Sequence, residues 1–139
     1  MKDMKTNTKK TNIISNYITC GLLGWCLEVF WTGIHSFFYN DCKLMGTTSL
    51  LMFPIYGLAC LINPLCKLIK KHCIFVRGIF YTICIFITEY ICGKHLKKLG
   101  ICPWDYSSKK YNINGLIRLD YAPAWFIVGL IYEKVLNRT

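Results

Sequence analysis

The sequence predicts an all-α, polytopic membrane protein, a bundle of about four transmembrane helices with a polar and aromatic loop between helices 3 and 4. Two observations predict this class. Of the 139 residues, 54% are apolar and only 17% are charged, whereas about 25% are charged in an average soluble domain. The apolar residues also form long runs instead of being scattered, and a soluble bundle could not cover four such runs with the few polar residues left.

Each run gives one predicted helix. The first has 26 residues with Glu28 as its only charge, and the second has 23 residues with no charge, enough to cross a hydrocarbon core of ~30 Å at ~1.5 Å per residue. The third and fourth carry a few charges. We predict a basic cytoplasmic tail over 1–12, a single transmembrane domain over 13–136, and a tail over 137–139. The four predicted helices are 13–38, 44–66, 73–92 and 119–136.

The first predicted helix is not a cleaved signal peptide. Its apolar run is too long, and no small-residue cleavage site follows it, so we expect it to remain as a helix. Pro54 and Pro64 in the second helix and Pro123 in the fourth remove backbone donors, so they should kink or delay those helices.

The distribution of positive charge predicts the orientation. With the N-terminus inside, ten Lys and Arg residues lie on the cytoplasmic side and seven on the other, which favours a multi-pass cell-membrane protein with both termini in the cytoplasm. The basic residues sit at helix ends, where anionic lipid headgroups would meet them. We therefore expect the lipid bilayer as the partner of this charge, and no nucleic acid, since no nucleic-acid-binding motif accompanies it.

The nine cysteines predict neither a metal site nor a disulfide framework. None forms a Cys-x-x-Cys pair, their number is odd, and at least six fall in apolar runs. Small apolar thiols that fill helix contacts explain them best. We predict no metal and no cofactor.

Glu28 and Glu89 carry most of the functional information. A carboxylate within a membrane helix normally faces a partner or water, because its insertion costs a few kcal/mol or more. Both lie 15 to 16 residues into predicted helices 1 and 3, which cross the membrane in the same direction, so they sit at similar depth. Each belongs to a stripe of small or polar residues, and we expect the two stripes to meet. The stripes are Gly21, Trp25, Glu28, Thr32 and His35, and Gly78, Thr82, Glu89 and Gly93.

The third loop should fold as a lid over this end of the bundle. Asp105 or Ser107 suits the cap of a short turn, and Asn114-Gly115 favours a turn with positive φ. We expect Arg118 to tie the lid to one or more of these carboxylates. The alternative is that one Glu is capped by Arg118 or His35 and holds the bundle together. The predicted polar cluster is Glu28, Glu89, Arg118 and Asp120, supported by Trp25, His35, Tyr56, Trp104, Asp105, Asn112 and Trp125. Arg77, far from Glu89 along the helix, should extend to the cytoplasmic headgroups.

Several segments together resemble one family of small membrane proteins. They are Gly24-Trp25-x-x-Glu28, Met52-Phe53-Pro54-Ile55-Tyr56-Gly57, Thr88-Glu89-Tyr90, Trp104-Asp105-Tyr106-Ser107 and Arg118-Leu119-Asp120-Tyr121-Ala122-Pro123. Over about residues 13–136 the chain resembles the putative ABC-transporter type IV, CmpB-like family, and its second half is similar to the branch containing the transmembrane 229 proteins. The resemblance implies a membrane protein of about four helices.

The sequence leaves three functions to be considered. A permease-like component of an ABC-type transporter accounts for the in-membrane carboxylates and the proline-broken second helix. Its ATPase would be a separate subunit, since the chain has no phosphate-binding loop. Four spans would need a second copy to enclose a pathway, so we expect a homodimer. The alternative is a structural or regulatory protein in which the charges only fix helix packing. An enzyme is disfavoured, because no Ser or Cys has an evident base beside it.

Overall fold

The computed structural model describes residues 2–40 and 42–138, with side chains from Asn12 onward. The charged side chains of the predicted basic tail therefore lie outside the described residues. The chain is 70% helical, which confirms the all-α class. Its helices are α1 (Lys2–Phe38), α2 (Met52–Gly57), α3 (Ile62–Ile69), α4 (Ile74–Lys98) and α5 (Ala122–Leu136), with 3-10 turns at Leu58–Leu61 and Leu119–Tyr121 and short strands β1 (Asn112–Ile113) and β2 (Ile117–Arg118).

Three stretches are long and apolar enough to cross a membrane: Asn12–Phe38, Met52–Ile69 and Ile74–Lys98. They confirm the prediction of a polytopic membrane protein. The fourth predicted span, 119–136, contains α5, which has 15 residues. At ~1.5 Å per residue α5 is shorter than the ~30 Å hydrocarbon core, so its crossing stays a prediction.

The second predicted helix, 44–66, begins later than expected. Its helical part starts at Met52, and residues 44–49 before it are non-helical. The reason lies in Gly46-Thr47-Thr48-Ser49. Glycine loses backbone entropy in a helix, and the hydroxyl side chains of Thr and Ser compete for backbone hydrogen bonds. A count of charges does not detect this, because none of these residues is charged.

The same stretch is interrupted as the prolines predict. α2 changes to a 3-10 turn at Leu58–Leu61 and the helix resumes as α3, with Pro64 as its third residue. Pro64 cannot donate to the carbonyl four residues before it, and its ring crowds that carbonyl. Pro123 lies in the first turn of α5, where the missing N–H costs nothing.

α1 and α4 are longer than the apolar runs that predicted them. α1 begins at Lys2 instead of residue 13, and α4 continues beyond residue 92 to Lys98. Lysine is a good helix former, so a lysine-rich flank can continue a helix outside the apolar region. Charge marks the edge of the apolar run, but it does not mark the end of the helix.

The backbone separates into two compact units, the first ending at Cys60 and the second beginning at Leu61. In the first unit, α2 packs closely on α1 through glycines. A Cβ at Gly21 would lie 2.7 Å from the Phe53 ring, and one at Gly24 would lie 2.3 Å from Tyr56. The Tyr17 hydroxyl donates to the carbonyl of Pro54 at 3.2 Å.

In the second unit, α4 packs on α5, again through glycines. A Cβ at Gly78 would meet the Phe126 ring at 2.2 Å, and one at Gly129 would meet Tyr81 at 2.5 Å. Strands β1 and β2 form an antiparallel hairpin that pairs Ile113 with Ile117. Its turn has φ of 54° at Asn114 and 70° at Gly115, which confirms the turn predicted there.

Candidate functional site

A row of polar side chains on α1 holds the chain that precedes α2. We call Trp25, Glu28, Thr32 and Ser36 the polar stripe, and residues 45–49 the extended segment. Trp25 Nε1 donates to the carbonyl of Ser49 at 3.0 Å, Thr32 Oγ1 to that of Thr47 at 3.1 Å, and Ser36 Oγ to that of Met45 at 2.8 Å. The stripe therefore supplies hydrogen bonds that a helix would otherwise give to this backbone.

Thr32 is bonded to the extended segment in both directions. Besides donating to the carbonyl of Thr47, its hydroxyl accepts a hydrogen bond from the Thr47 N–H at 2.8 Å. These two hydrogen bonds require the extended segment to lie close to α1, and Gly46 allows that close approach. A Cβ at Gly46 would lie 2.2 Å from the carbonyl oxygen of Val29 on α1, so only glycine fits between the segment and the helix.

Glu28 lies in the middle of the polar stripe and is half-buried. Its Oε2 accepts a hydrogen bond from the Thr48 hydroxyl. Among the residues whose side chains the structure describes, no Lys, Arg or His forms an ion pair with Glu28. His35, an expected partner of the carboxylates, instead packs its ring on Tyr39 with centroids 5.0 Å apart.

Glu89 is buried, with 8% of its surface exposed. The other three residues of its predicted stripe, Gly78, Thr82 and Gly93, are buried as well. Phe126 of α5 covers Gly78, while Trp104 and Leu116 of the third loop cover Gly93. The expected meeting of Glu28 with Glu89 stays a prediction.

A second charged site lies within the second unit, and no sequence pattern predicted it. Arg77 Nη1 is 3.4 Å from Glu133 Oε1, with 23% and 8% of the two side chains exposed. The structure therefore gives Arg77 a protein partner that the sequence did not predict, the buried Glu133 carboxylate, while its contact with the headgroups stays a prediction. Tyr81, wholly buried, lies beside this pair together with Cys66. The sequence feature that could have indicated this ion pair is a basic residue near the start of one apolar run and an acidic residue near the end of another.

Arg118 and Asp120 do come together, as the predicted cluster requires. Arg118 Nε donates to both carboxylate oxygens of Asp120, at 2.8 and 2.9 Å, and Nη2 lies 2.7 Å from Oδ2. The guanidinium also stacks over the Tyr121 ring at 4.4 Å. The described ion pair of Arg118 is thus with its neighbour in the loop and not with Glu28 or Glu89.

The remaining supporting residues build the loop and the helix contacts. Trp104 Nε1 donates to the carbonyl of Leu116 at 3.0 Å, which fastens the loop across the hairpin. Asn112 Oδ1 accepts from the Gly115 N–H at 2.9 Å. Trp125 Nε1 is buried with no hydrogen-bond partner among the described residues. Tyr56 belongs to the first unit, where its ring covers Gly24 of α1.

Asp105 caps the turn that the sequence predicts at this place. It accepts hydrogen bonds from the N–H of Ser107 at 3.0 Å and from the Ser107 hydroxyl. These two donors stabilise the carboxylate, so they lower the pKa of Asp105 below its ordinary value. The residue is a structural cap on the loop.

Apolar helices that can span a bilayer, with charged and hydrogen-bonding groups placed among them, define a polytopic integral membrane protein. Within that class the chain belongs to the family described as "Putative ABC-transporter type IV", whose model matches residues 15–139. No solved structure matches the chain.

Proposed function

We propose that this chain is a permease-like component of an ABC-type transporter and that Glu28 belongs to a polar site within the membrane. One observation carries the proposal: the extended segment lies along α1 with its Thr48 hydroxyl on the Glu28 carboxylate. Non-helical backbone at membrane depth is tolerated where it is buried in protein or lines a water-filled cavity. Transporters place their substrate and ion sites beside non-helical backbone within the membrane region.

The family description supports the transporter class. The sequence has no Gly-x-x-x-x-Gly-Lys phosphate loop, so we assign ATP hydrolysis to a separate subunit. The proposal includes no catalytic residue. Glu89, buried in α4, and the Arg118–Asp120 pair are the polar groups of the second unit, and their joining Glu28 in one site stays a prediction.

The proposed assembly is a homodimer in the cell membrane with both termini in the cytoplasm. The support is the small number of spans in one chain and the excess of Lys and Arg on the proposed cytoplasmic side. Native mass spectrometry from lipid nanodiscs would measure the number of copies. Protease digestion of sealed vesicles of known orientation, with tags at each terminus, would measure the topology.

Energised membrane vesicles test the transport function whatever the solute is. Inside-out and right-side-out vesicles from native cells lacking the gene, complemented with wild-type or Glu28→Gln protein, are incubated with a cell extract and ATP, and their contents are compared by mass spectrometry. We expect at least one solute whose ATP-dependent accumulation or loss falls about tenfold or more in Glu28→Gln. Asp105→Asn is the matched control and should retain transport, because the structure makes Asp105 a cap on the Ser107 turn and not, as expected from the sequence, a support of the polar cluster.

The proposal is overturned if the wild-type protein, present in verified amounts, causes no ATP-dependent change in vesicle contents relative to vesicles without the protein. Equal transport by wild-type and Glu28→Gln would remove Glu28 from the site.

A structural or regulatory role is the second candidate, and the ion pairs favour it. Arg77 with Glu133, and Arg118 with Asp120, are charges that neutralise each other in place, as expected of groups that fix packing. Under this role, Glu28→Gln and Arg118→Ala would lower the amount of folded protein and leave the vesicle contents unchanged.

A further inference from the structure

The described acidic residues at or near the apolar helices differ in how their charge is neutralised. Glu133 has Arg77 and Asp120 has Arg118 as an ion-pair partner. Glu28 is held by a hydroxyl group, and within the part of the chain whose side chains are described it has no cationic partner. Among the described side chains, the Glu28 carboxylate on α1 therefore keeps a negative charge that no cation neutralises.

Such a charge needs compensation in a bilayer. An isolated carboxylate among acyl chains costs several kcal/mol, so it takes up a proton, a cation or water. Glu28 lies 10 residues before the end of α1 at Phe38, or ~15 Å along the helix. Thr47 and Thr48 of the extended segment are exposed, so the described part of the chain does not itself cover this side of α1.

The hydrogen bonds of Glu28 and of its neighbour Thr32 on the polar stripe supply three oxygen atoms on this side of α1. They are the Thr48 hydroxyl on the Glu28 carboxylate, the Thr32 hydroxyl, which lies 2.9 Å from the Glu28 main-chain carbonyl, and the Thr47 carbonyl bonded to that hydroxyl. Carboxylate, hydroxyl and carbonyl oxygens are ligands of hard cations. A proton would need only the carboxylate, whereas a row of hydroxyl and carbonyl oxygens beside it suits a metal cation.

We propose that Glu28, with Thr48 and Thr32, forms a binding site for a monovalent alkali cation, for which Na⁺ is the probe. One carboxylate supplies one negative charge, so a monovalent ion neutralises it. A divalent ion would leave a net positive charge within the membrane, which is again costly. In transporters, main-chain carbonyls of non-helical backbone coordinate Na⁺ within the membrane.

This inference rests on the proposed function for the membrane location of Glu28, and it adds a ligand to the same site. The binding itself depends only on the geometry of the first unit. A measurement of binding can therefore fail while ATP-dependent transport is present, or succeed while transport is absent.

Thermal unfolding of the purified full-length protein, followed by tryptophan fluorescence, tests the proposal. The protein in detergent micelles or nanodiscs is titrated with NaCl against N-methyl-D-glucamine chloride at constant ionic strength, because a ligand of the folded state raises the midpoint. We expect a saturable rise with Na⁺, and an apparent affinity at least about tenfold weaker in Glu28→Gln and lower in Thr48→Val. Glu28→Asp, which keeps the charge, should retain part of the rise.

Asp105→Asn is the matched control and should respond to Na⁺ as the wild type does. Binding of radioactive ²²Na⁺ to the same preparations, by scintillation proximity, gives the same comparison for any variant whose unfolding transition is poorly defined. The proposal is overturned if wild type shows no Na⁺-specific rise and no ²²Na⁺ binding, or if Glu28→Gln binds as well as wild type. A midpoint that responds to proton concentration alone would also overturn it, since a proton would then neutralise the carboxylate.

Discussion

The acidic side chains of the two units have different kinds of partner. In the second unit, Arg77 and Glu133 neutralise each other at 3.4 Å, and Arg118 and Asp120 do so at 2.7 Å. In the first unit, Glu28 is bonded to a threonine hydroxyl, and the polar stripe around it bonds to main-chain atoms of the extended segment. A closed ion pair fixes packing, whereas a carboxylate among neutral oxygen atoms retains a charge that can bind something else.

Breaking the ion pair of the second unit should give the largest loss of stability. Arg77→Leu leaves Glu133 buried with no counter-charge, and removal of one partner from a buried pair costs about 3–5 kcal/mol. Reversible unfolding of the protein in mixed micelles would measure the change. The double variant Arg77→Leu/Glu133→Leu should recover most of the loss, since two apolar residues need no compensation.

The same experiment on Glu28 sharpens the comparison. Glu28→Gln keeps the shape and a hydrogen-bond acceptor for Thr48 and removes only the charge, so stability should change by less than about 1 kcal/mol or rise. A loss as large as that of Arg77→Leu would show that Glu28 is part of a closed pair, as the charges of the second unit are.

Widening the contact between α1 and the extended segment should have the next largest effect. Gly46→Ala places a Cβ 2.2 Å from the Val29 carbonyl oxygen, and since the helix backbone cannot yield, we expect a loss of about 2–3 kcal/mol. Gly33→Ala is the control: its Cβ would lie 3.0 Å from the Leu44 carbonyl oxygen, and alanine favours the helix. Equal losses at both positions would contradict the close approach at Gly46.

A single hydrogen-bonding side chain of the stripe should matter less. Thr32→Val keeps the shape of the side chain and removes the hydroxyl that bonds both the N–H and the carbonyl of Thr47. We expect a loss of about 1 kcal/mol in unfolding free energy, with faster hydrogen exchange of the Thr47 amide by mass spectrometry. Unchanged exchange would mean that the stripe does not hold the segment.

The sequence predicts the helices well because lipid imposes a simple rule. Long runs without charge must be helices whose backbone is bonded internally, so α1 and α4 could be located from composition alone. The extended segment could not, since Gly46-Thr47-Thr48-Ser49 is as uncharged as a helix. The local preference of Gly, Thr and Ser explains why the segment is not helical, but its place along α1 depends on the polar stripe, a tertiary interaction that the count of charges does not detect.

For the candidate site, the sequence predicts which charged residues matter but not which partners they contact, because the partners depend on tertiary packing. Glu28 and the Arg118–Asp120 pair were singled out as charges near the membrane, and the structure shows the partners of each. Arg77 was assigned to the headgroups because distance along one helix excluded Glu89 as a partner. Glu133 lies on another helix, and only the packing of α4 on α5 shows that the two meet.

The loop of the second unit should show the smallest effect, which depends on pH. The two hydrogen bonds from Ser107 lower the pKa of Asp105 in the folded loop, so the ionised carboxylate stabilises the fold above its ordinary pKa of about 3.9. That stabilisation is lost as the pH falls through this value toward the folded pKa. Trp104 fluorescence in variants lacking the other tryptophans would report the change. Asp105→Asn should flatten the response, and an unaltered pH profile would show that the cap plays no part in it.

Water access to the extended segment tests the central claim most directly. In a variant whose nine native cysteines are replaced by alanine, Thr47→Cys and Ile83→Cys are each treated in liposomes with a charged, membrane-impermeant thiol reagent on both sides. Ile83 is an exposed residue on the apolar α4. Since only a thiolate in water reacts, we predict that Thr47→Cys reacts at least about tenfold faster than Ile83→Cys. Equally slow reaction at both positions in folded protein would place the segment, and Glu28 with it, away from water and contradict the account.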